Sequence, residues 1–125
     1  MMRIINDPKL DFSDVLLIPK RSTLGSRSEV DITRTIKMPY SDFEFTGVPI
    51  IAANMDTIGT MAMATSLYHH NVATAIHKHY EPEELINFFS SPVPNISLLF
   101  YSLGVVDKDV EKFKYVDSCI EGGIT

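Results

Sequence analysis

Val48-Pro49-Ile50-Ile51-Ala52-Ala53-Asn54-Met55-Asp56-Thr57-Ile58-Gly59 decides how this chain is read. Ile50 to Ala53 is a short unbroken apolar run, the pattern of a parallel strand covered on both faces. The run stops at the polar Asn54 and Asp56, and a helix-like segment follows directly. Further along, Ala73-Thr74-Ala75-Ile76 repeats the apolar run and ends in His77-Lys78-His79-Tyr80. In α/β folds the chemistry collects at the carboxyl ends of the strands. Two adjacent strands that each end in a polar cluster are therefore expected to face one pocket.

The segments after each run have helical spacing. Met61, Ala64, Leu67 and Tyr68 share one face of a first helix that ends near Asn71. A second helix opens at Glu81-Pro82, where proline suits the first turn and Glu83 and Glu84 suit the positive end of the dipole. Its apolar face is Leu85, Phe88 and Phe89, and Pro92 and Pro94 stop it. A third strand is expected over Ile96 to Tyr101. The third helix then runs from about Asp107, with Val110, Phe113, Val116 and Ile120 inward, to Gly122-Gly123. Ile124-Thr125 would open another strand. The alternation implies a parallel sheet with right-handed crossovers.

Upstream the pattern differs. Leu10 to Pro19 is an apolar patch broken by acids, read as a short strand or turn that plugs against a larger body. Lys20 to Ser28 is an exposed polar loop carrying Lys20, Arg21 and Arg27. It is either a solvated connector or an anion contact, for which arginine and backbone amides are suited. Val30, Ile32 and Ile36, then Phe43 and Phe45, alternate as two half-buried strands joined through Pro39-Tyr40-Ser41-Asp42. We expect residues 1–47 to form this antiparallel appendage and loop segment, and residues 48–125 to form three βα units. Three parallel strands leave bare edges, and a closed (β/α)8 barrel needs roughly 250 residues. The fold class is thus α/β, the N-terminal part of a (β/α)8 TIM barrel within a larger protein.

Composition narrows the function classes. At 125 residues, 45% apolar and 22% charged, the chain has the make-up of a globular domain. No apolar stretch is long enough for a membrane span, and Met1 to Asp7 lacks a signal-peptide core, so a cytosolic (cytoplasmic) protein is expected. The single cysteine, Cys119, agrees with a reducing compartment. A net charge of −5 offers no electrostatic attraction for nucleic acid or an acidic membrane surface.

Among the chemically able residues, His77 and His79 share a face at strand spacing, as metal ligands can, but no third ligand has an evident place beside them. No metal is therefore assigned. His69 and His70 read as exposed residues at a helix end. Lys78, at a strand's carboxyl end, can hold a phosphate, polarise a carbonyl or move a proton; the other reading is an ion pair to Asp56. Met55 can pack on a flat aromatic ligand or fill core space. Cys119 is read as inert on the inner side of the third helix. Gly104 and Gly122-Gly123 match neither familiar phosphate-loop spacing.

Three stretches carry a resemblance: KLDFSDVLLIPKRSTLGSRSEV, GVPIIAANMDTIGT and TAIHKHY. In order, from about Arg3 to Gly104, they resemble the IMP dehydrogenase/GMP reductase family. The wording at Lys20-Arg21-Ser22 and Asn54-Met55-Asp56 is similar to its GMP reductase branch. So is the short passage from Tyr80 to the third strand, which leaves no room for the regulatory insertion of the dehydrogenases. The resemblance implies a (β/α)8 barrel, usually a homotetramer, and NADPH-dependent reductive deamination of GMP to IMP with release of ammonia. It implies that Ser26 and Arg27 contact NADPH from a neighbouring subunit. It also implies that Lys78 lies at the cofactor and reaction centre, with a catalytic role, and that Met55 lies against the purine. The family's catalytic cysteine, its potassium-binding loop and its GMP phosphate site match positions beyond Thr125, and Cys119 does not match that cysteine's motif. A chain of this extent is expected to be inactive alone. The alternatives are an IMP dehydrogenase-like fragment, or a truncated non-catalytic isoform that pairs with a full-length partner.

Overall fold

The computed structural model describes residues 6–92 and 94–124. The readings made on Met1 to Ile5 and on Thr125 lie outside the described residues. The chain divides into two compact units, Met1–Val30 and Asp31–Thr125.

In the first unit local hydrogen bonds, rather than a core, shape the backbone. Asp11 and Asp14 form a reciprocal capping box around a 3-10 turn, Phe12–Asp14. A second 3-10 turn, Arg27–Glu29, is capped by Ser26, whose Oγ accepts from the Ser28 N–H. The apolar patch between them is open: Phe12, Leu16 and Leu17 are each at least 95% exposed.

The second unit is a mixed four-stranded sheet with three α-helices. Strand β1 is Arg34–Lys37, β2 Glu44–Ala52, β3 Val72–Ile76 and β4 Leu99–Tyr101; helix α1 is Met61–Tyr68, α2 Pro82–Phe89 and α3 Asp107–Ser118. The spatial order is β1-β2-β3-β4. β1 and β2 pair antiparallel, while β2–β3 and β3–β4 are parallel.

β2 belongs to both kinds of pairing. Its residues Glu44 to Gly47 face β1, and Val48, Ile51 and Ala52 face β3. The two strands expected around Phe45 and Val48 are thus one nine-residue strand. Its register slips between Val48 and Ile51, where Pro49 has no N–H to give to a ladder. β1 is exposed throughout, and Ile36 is 42% exposed, so this strand is less buried than its alternation suggests. Ile32 lies outside it.

The main core lies where α1, α2 and α3 meet the sheet: Ala64, Ile76, Leu85, Phe89, Leu99, Val116 and Ile120. Phe45, Ala73 and Leu98 form a second cluster. Ala73 and Ile76 are an odd number of residues apart in β3, so their side chains leave the sheet on opposite faces. The helix faces read from spacing match: Leu85 and Phe89 of α2, and Val116 of α3, are buried.

Two local expectations are corrected. Ile96–Leu98 is a 3-10 turn rather than strand, because the Asn95 side chain accepts from Ser97 N–H and closes the backbone. Cys119 is exposed, not inward. It sits at the end of α3 with its N–H returned to Val116 O, which turns its side chain to solvent while Ile120 enters the core.

Candidate functional site

The carboxyl ends of β2 and β3 are tied together by the residues that follow them. After β2, the N–H groups of Ile58 and Gly59 both return to Met55 O, at 2.9 and 2.7 Å, closing a tight turn. Gly59 O then accepts from His77 N–H at 3.0 Å, joining this turn to the end of β3. A Cβ on Gly59 would lie 2.2 Å from Ala75 O and 2.8 Å from Ala53 O, so only glycine lets the turn close on the strands.

His77 is buried and stacks on Tyr80, with ring centroids 4.3 Å apart and planes within 9°. Its Nδ1 accepts the His79 N–H at 3.3 Å, which leaves Nε2 to carry the proton of the neutral ring. Tyr80 Oη accepts from Met61 N–H at 3.1 Å, beside the Thr60 side chain, which accepts from Met63 N–H. The first turn of α1 is thus satisfied partly by its own cap and partly by the loop after β3. His79 Nε2 lies 3.3 Å from Asp56 Oδ1, both groups largely exposed. The two polar clusters thus touch through one exposed pair, but the cavity beside Lys78 and His79 is not lined by Asn54, Met55 or Asp56, so the single pocket expected of both strand ends is not formed by these residues.

Lys78 takes a different partner from the one its sequence suggests. Its Nζ lies 2.9 Å from Asp109 Oδ2, in the first turn of α3, and not on Asp56. Successive residues of the loop diverge, so His79 meets Asp56 while Lys78 reaches α3. From the next turn of α3, Lys112 Nζ donates to Lys78 O at 2.9 Å and also to Tyr80 O. A cavity of about 380 Å³ adjoins these groups, lined by Lys78, His79, Glu81, Pro82, Lys108, Asp109 and Lys112. A larger cavity, about 1100 Å³ with Phe43, Phe89, Phe100, Tyr101 and Phe113 in its walls, lies along β4 and contains none of the polar residues that follow β2 and β3. Its apolar lining suits packing rather than chemistry.

Tyr101, at the end of β4, has its phenol pushed above the ordinary range, first by burial and then by the Asp109 carboxylate. Met55 is 59% exposed beside its turn and not part of the core. Ser26 and Arg27 lie in the other unit, both exposed. Ser26 Oγ also shares a hydrogen bond with Ser28 Oγ at 2.9 Å. Among the described residues no group of three or more His, Cys, Asp or Glu side chains is placed to hold a metal ion. No helix among them is long and apolar enough to cross a membrane.

Sequence reasoning missed Asp109 and Lys112, and it gave Tyr80 a place in the strand-end cluster but no role. The first two lie at i and i+3 on a helix, a spacing that puts them on one face, but their partner is 31 to 34 residues away. The acids that open α3 read most simply as dipole partners. Gly104, which stands alone in the sequence, has a local reason: a Cβ there would fall 1.7 Å from Asp109 Oδ2 and 3.0 Å from Lys78 Nζ.

Comparison with known proteins places the chain. Residues 9–90 match the family model described as the IMP dehydrogenase / GMP reductase domain. The chain is 48% identical over 117 residues to a GMP reductase of Caenorhabditis elegans, covering 93% of this chain and 33% of that protein. It is 48% identical over 120 residues to GMP reductase 2 of Bos taurus, covering 96% of this chain and 34% of that protein. Among solved structures it resembles an inosine 5′-monophosphate dehydrogenase from Legionella pneumophila, with a TM-score of 0.62 and 29% identity over 86% of this chain and 32% of that one. The chain spans about a third of the length of the curated relatives it matches. It belongs to the IMP dehydrogenase/GMP reductase family.

Proposed function

We propose that this chain forms the front of a GMP reductase, an NADPH-dependent oxidoreductase that converts GMP to IMP and ammonia in the cytoplasm. The observation that carries this reading is 48% identity to a GMP reductase along 93% of the chain. The direct passage from Tyr80 through α2 to β4 agrees with it, since no inserted domain interrupts that stretch. Residues 48–125 are the first three βα units of an incomplete (β/α)8 barrel, and residues 1–47 the appendage before them. This proposed boundary lies inside β2, at the point where the strand changes partner, and differs from the division of the compact units between Val30 and Asp31.

The overall balance is GMP, NADPH and two protons giving IMP, NADP⁺ and ammonium: the purine C2–N bond breaks and a C2–H bond forms. NADPH supplies the hydride when bound. Lys78 fits a polar or anionic group of that cofactor, because its side chain is 43% exposed beside a cavity and its ammonium spends one N–H donor on Asp109. Lys78 both binds the cofactor and, as the catalytic residue of this segment, stabilises charge or delivers a proton near the departing amine. Ser26 and Arg27 hold NADPH from a neighbouring subunit of a homotetramer, and Met55 lies against the purine. A potassium ion would be held by residues of the complete enzyme outside this segment.

The test joins this chain to the remaining two thirds of the C. elegans GMP reductase and follows NADPH oxidation with GMP, beside the 125-residue chain alone. Turnover by the chimera and none by the chain alone is expected. A folded chimera that does not oxidise NADPH with GMP overturns the reading, and one that instead reduces NAD with IMP assigns the dehydrogenase activity. An inactive chain that co-purifies with a longer homologue assigns a non-catalytic partner.

A further inference from the structure

We infer that Asp109 is a positioning residue for Lys78, holding its ammonium at the carboxyl end of β3 so that the remaining N–H donors face the adjoining cavity. The inference rests on the role proposed for Lys78 and extends it to a residue of a different βα unit. Three observations converge. Asp109 Oδ2 lies 2.9 Å from Lys78 Nζ, and the aspartate is the less exposed partner, at 20% against 43%. A lysine side chain has many rotamers of similar energy, so one short contact to a better-buried carboxylate selects among them.

The main chain of the same residue is also held from α3. Lys112, one turn after Asp109, donates to Lys78 O and to Tyr80 O. One face of one helix thus grips Lys78 by side chain and backbone together. Gly104, finally, leaves room for the pair: a Cβ there would stand 1.7 Å from the carboxylate oxygen that Lys78 uses. Movement of Asp109 to relieve that overlap would break its contact with Lys78.

The experiment is a double-mutant cycle in the chimera, with NADPH affinity read from the cofactor's fluorescence and turnover read separately. We expect Lys78→Ala to weaken NADPH binding about tenfold, as for loss of a charge-assisted contact. Asp109→Ala should weaken it about fivefold, and the double variant should be no worse than Lys78→Ala alone. Gly104→Ala should reproduce the Asp109→Ala loss with the carboxylate still present. The KM for GMP should stay within about twofold in every variant, a split that general destabilisation would not produce.

Normal NADPH affinity in Lys78→Ala overturns the proposed role of Lys78 and this inference with it. A weakened Lys78→Ala beside a normal Asp109→Ala overturns the inference alone, as do losses that simply add in the double variant. Should Asp109→Ala fail to fold, Asp109→Asn keeps the shape and removes the charge, and the same comparison decides.

Discussion

The phenol of Tyr80 accepts the backbone N–H of Met61 at 3.1 Å, so the loop after β3 caps the helix that follows β2. Tyr80→Phe keeps the ring that stacks on His77 and removes only the acceptor. The loss should be about 1 kcal/mol, the usual net worth of a partly buried hydrogen bond. Urea unfolding measures it. An unchanged midpoint would show that water replaces the phenol without cost.

Thr74 is fully buried in the middle of β3, and its hydroxyl has no hydrogen-bond partner among the described residues. Thr74→Val retains the β-branched shape that strands favour and removes the orphaned group. Stability should rise by about 1 kcal/mol. A drop instead would mean that the hydroxyl has a partner in solution.

Gly59→Ala sets a methyl group against two backbone carbonyl oxygens, and backbone cannot swing aside as a side chain can. The cost should be on the order of 3 kcal/mol, at the upper end for overpacking. The same melt reads it. Gly122→Ala, where the added Cβ meets nothing but the backbone has a φ of +86°, is the matched control for conformational strain alone.

Tyr101 supplies a pH dependence. Its folded pKa is raised above the ordinary 10.0, chiefly by burial and secondarily by Asp109. A raised pKa means that the neutral phenol is favoured in the folded state. Its stabilising share is therefore complete below pH 10 and is lost as pH rises through the folded value. Tyr101→Phe keeps the ring between Phe89 and Phe113 and has no proton to lose. The variant should hold its stability at pH 11 better than the parent, relative to their difference at pH 8. Parallel pH profiles would rule out this assignment.

The proposed site residues should separate by ligand. Arg27→Ala should raise the KM for NADPH about tenfold and leave that for GMP unchanged, since arginine acts there on an anion. Met55→Ala should raise the KM for GMP about threefold, the effect of losing apolar contact with a ring, and leave NADPH unchanged. Initial rates of the chimera at varied concentrations of each ligand make the comparison. A reversed pattern would exchange the two assignments.

What could be read beforehand follows from how locally each feature is encoded. The apolar run Ala73 to Ile76 and the spacing of Leu85, Phe89 and Val116 mark buried strand and helix positions, whereas the run from Ile50 marks a strand that is not covered on both faces, since Ile50 and Ile51 are 60% and 49% exposed. Asn95 decides its 3-10 turn through a side-chain bond two residues on, which an apolar count over Ile96 to Tyr101 conceals. The residues around Phe45 and the run from Ile50 read as separate strands, yet they are one, with Pro49 inside it where the register with β3 slips. The meeting of the two strand ends was legible as well. The partner of Lys78 was not, since charge alone fits Asp56 as well as Asp109, and only the direction of the loop after β3 separates them.

The sheet order β1-β2-β3-β4 repeats the order of the strands along the chain, so each strand's neighbour is the segment made just before it. Pairings of this kind have low contact order: each closes over one hairpin or one helix and waits for nothing distant. A nascent chain can therefore lay down the sheet strand by strand as it leaves the ribosome. The divided strand β2 is then the splint of that process, since the hairpin it forms with β1 presets its extended backbone before β3 has been synthesised.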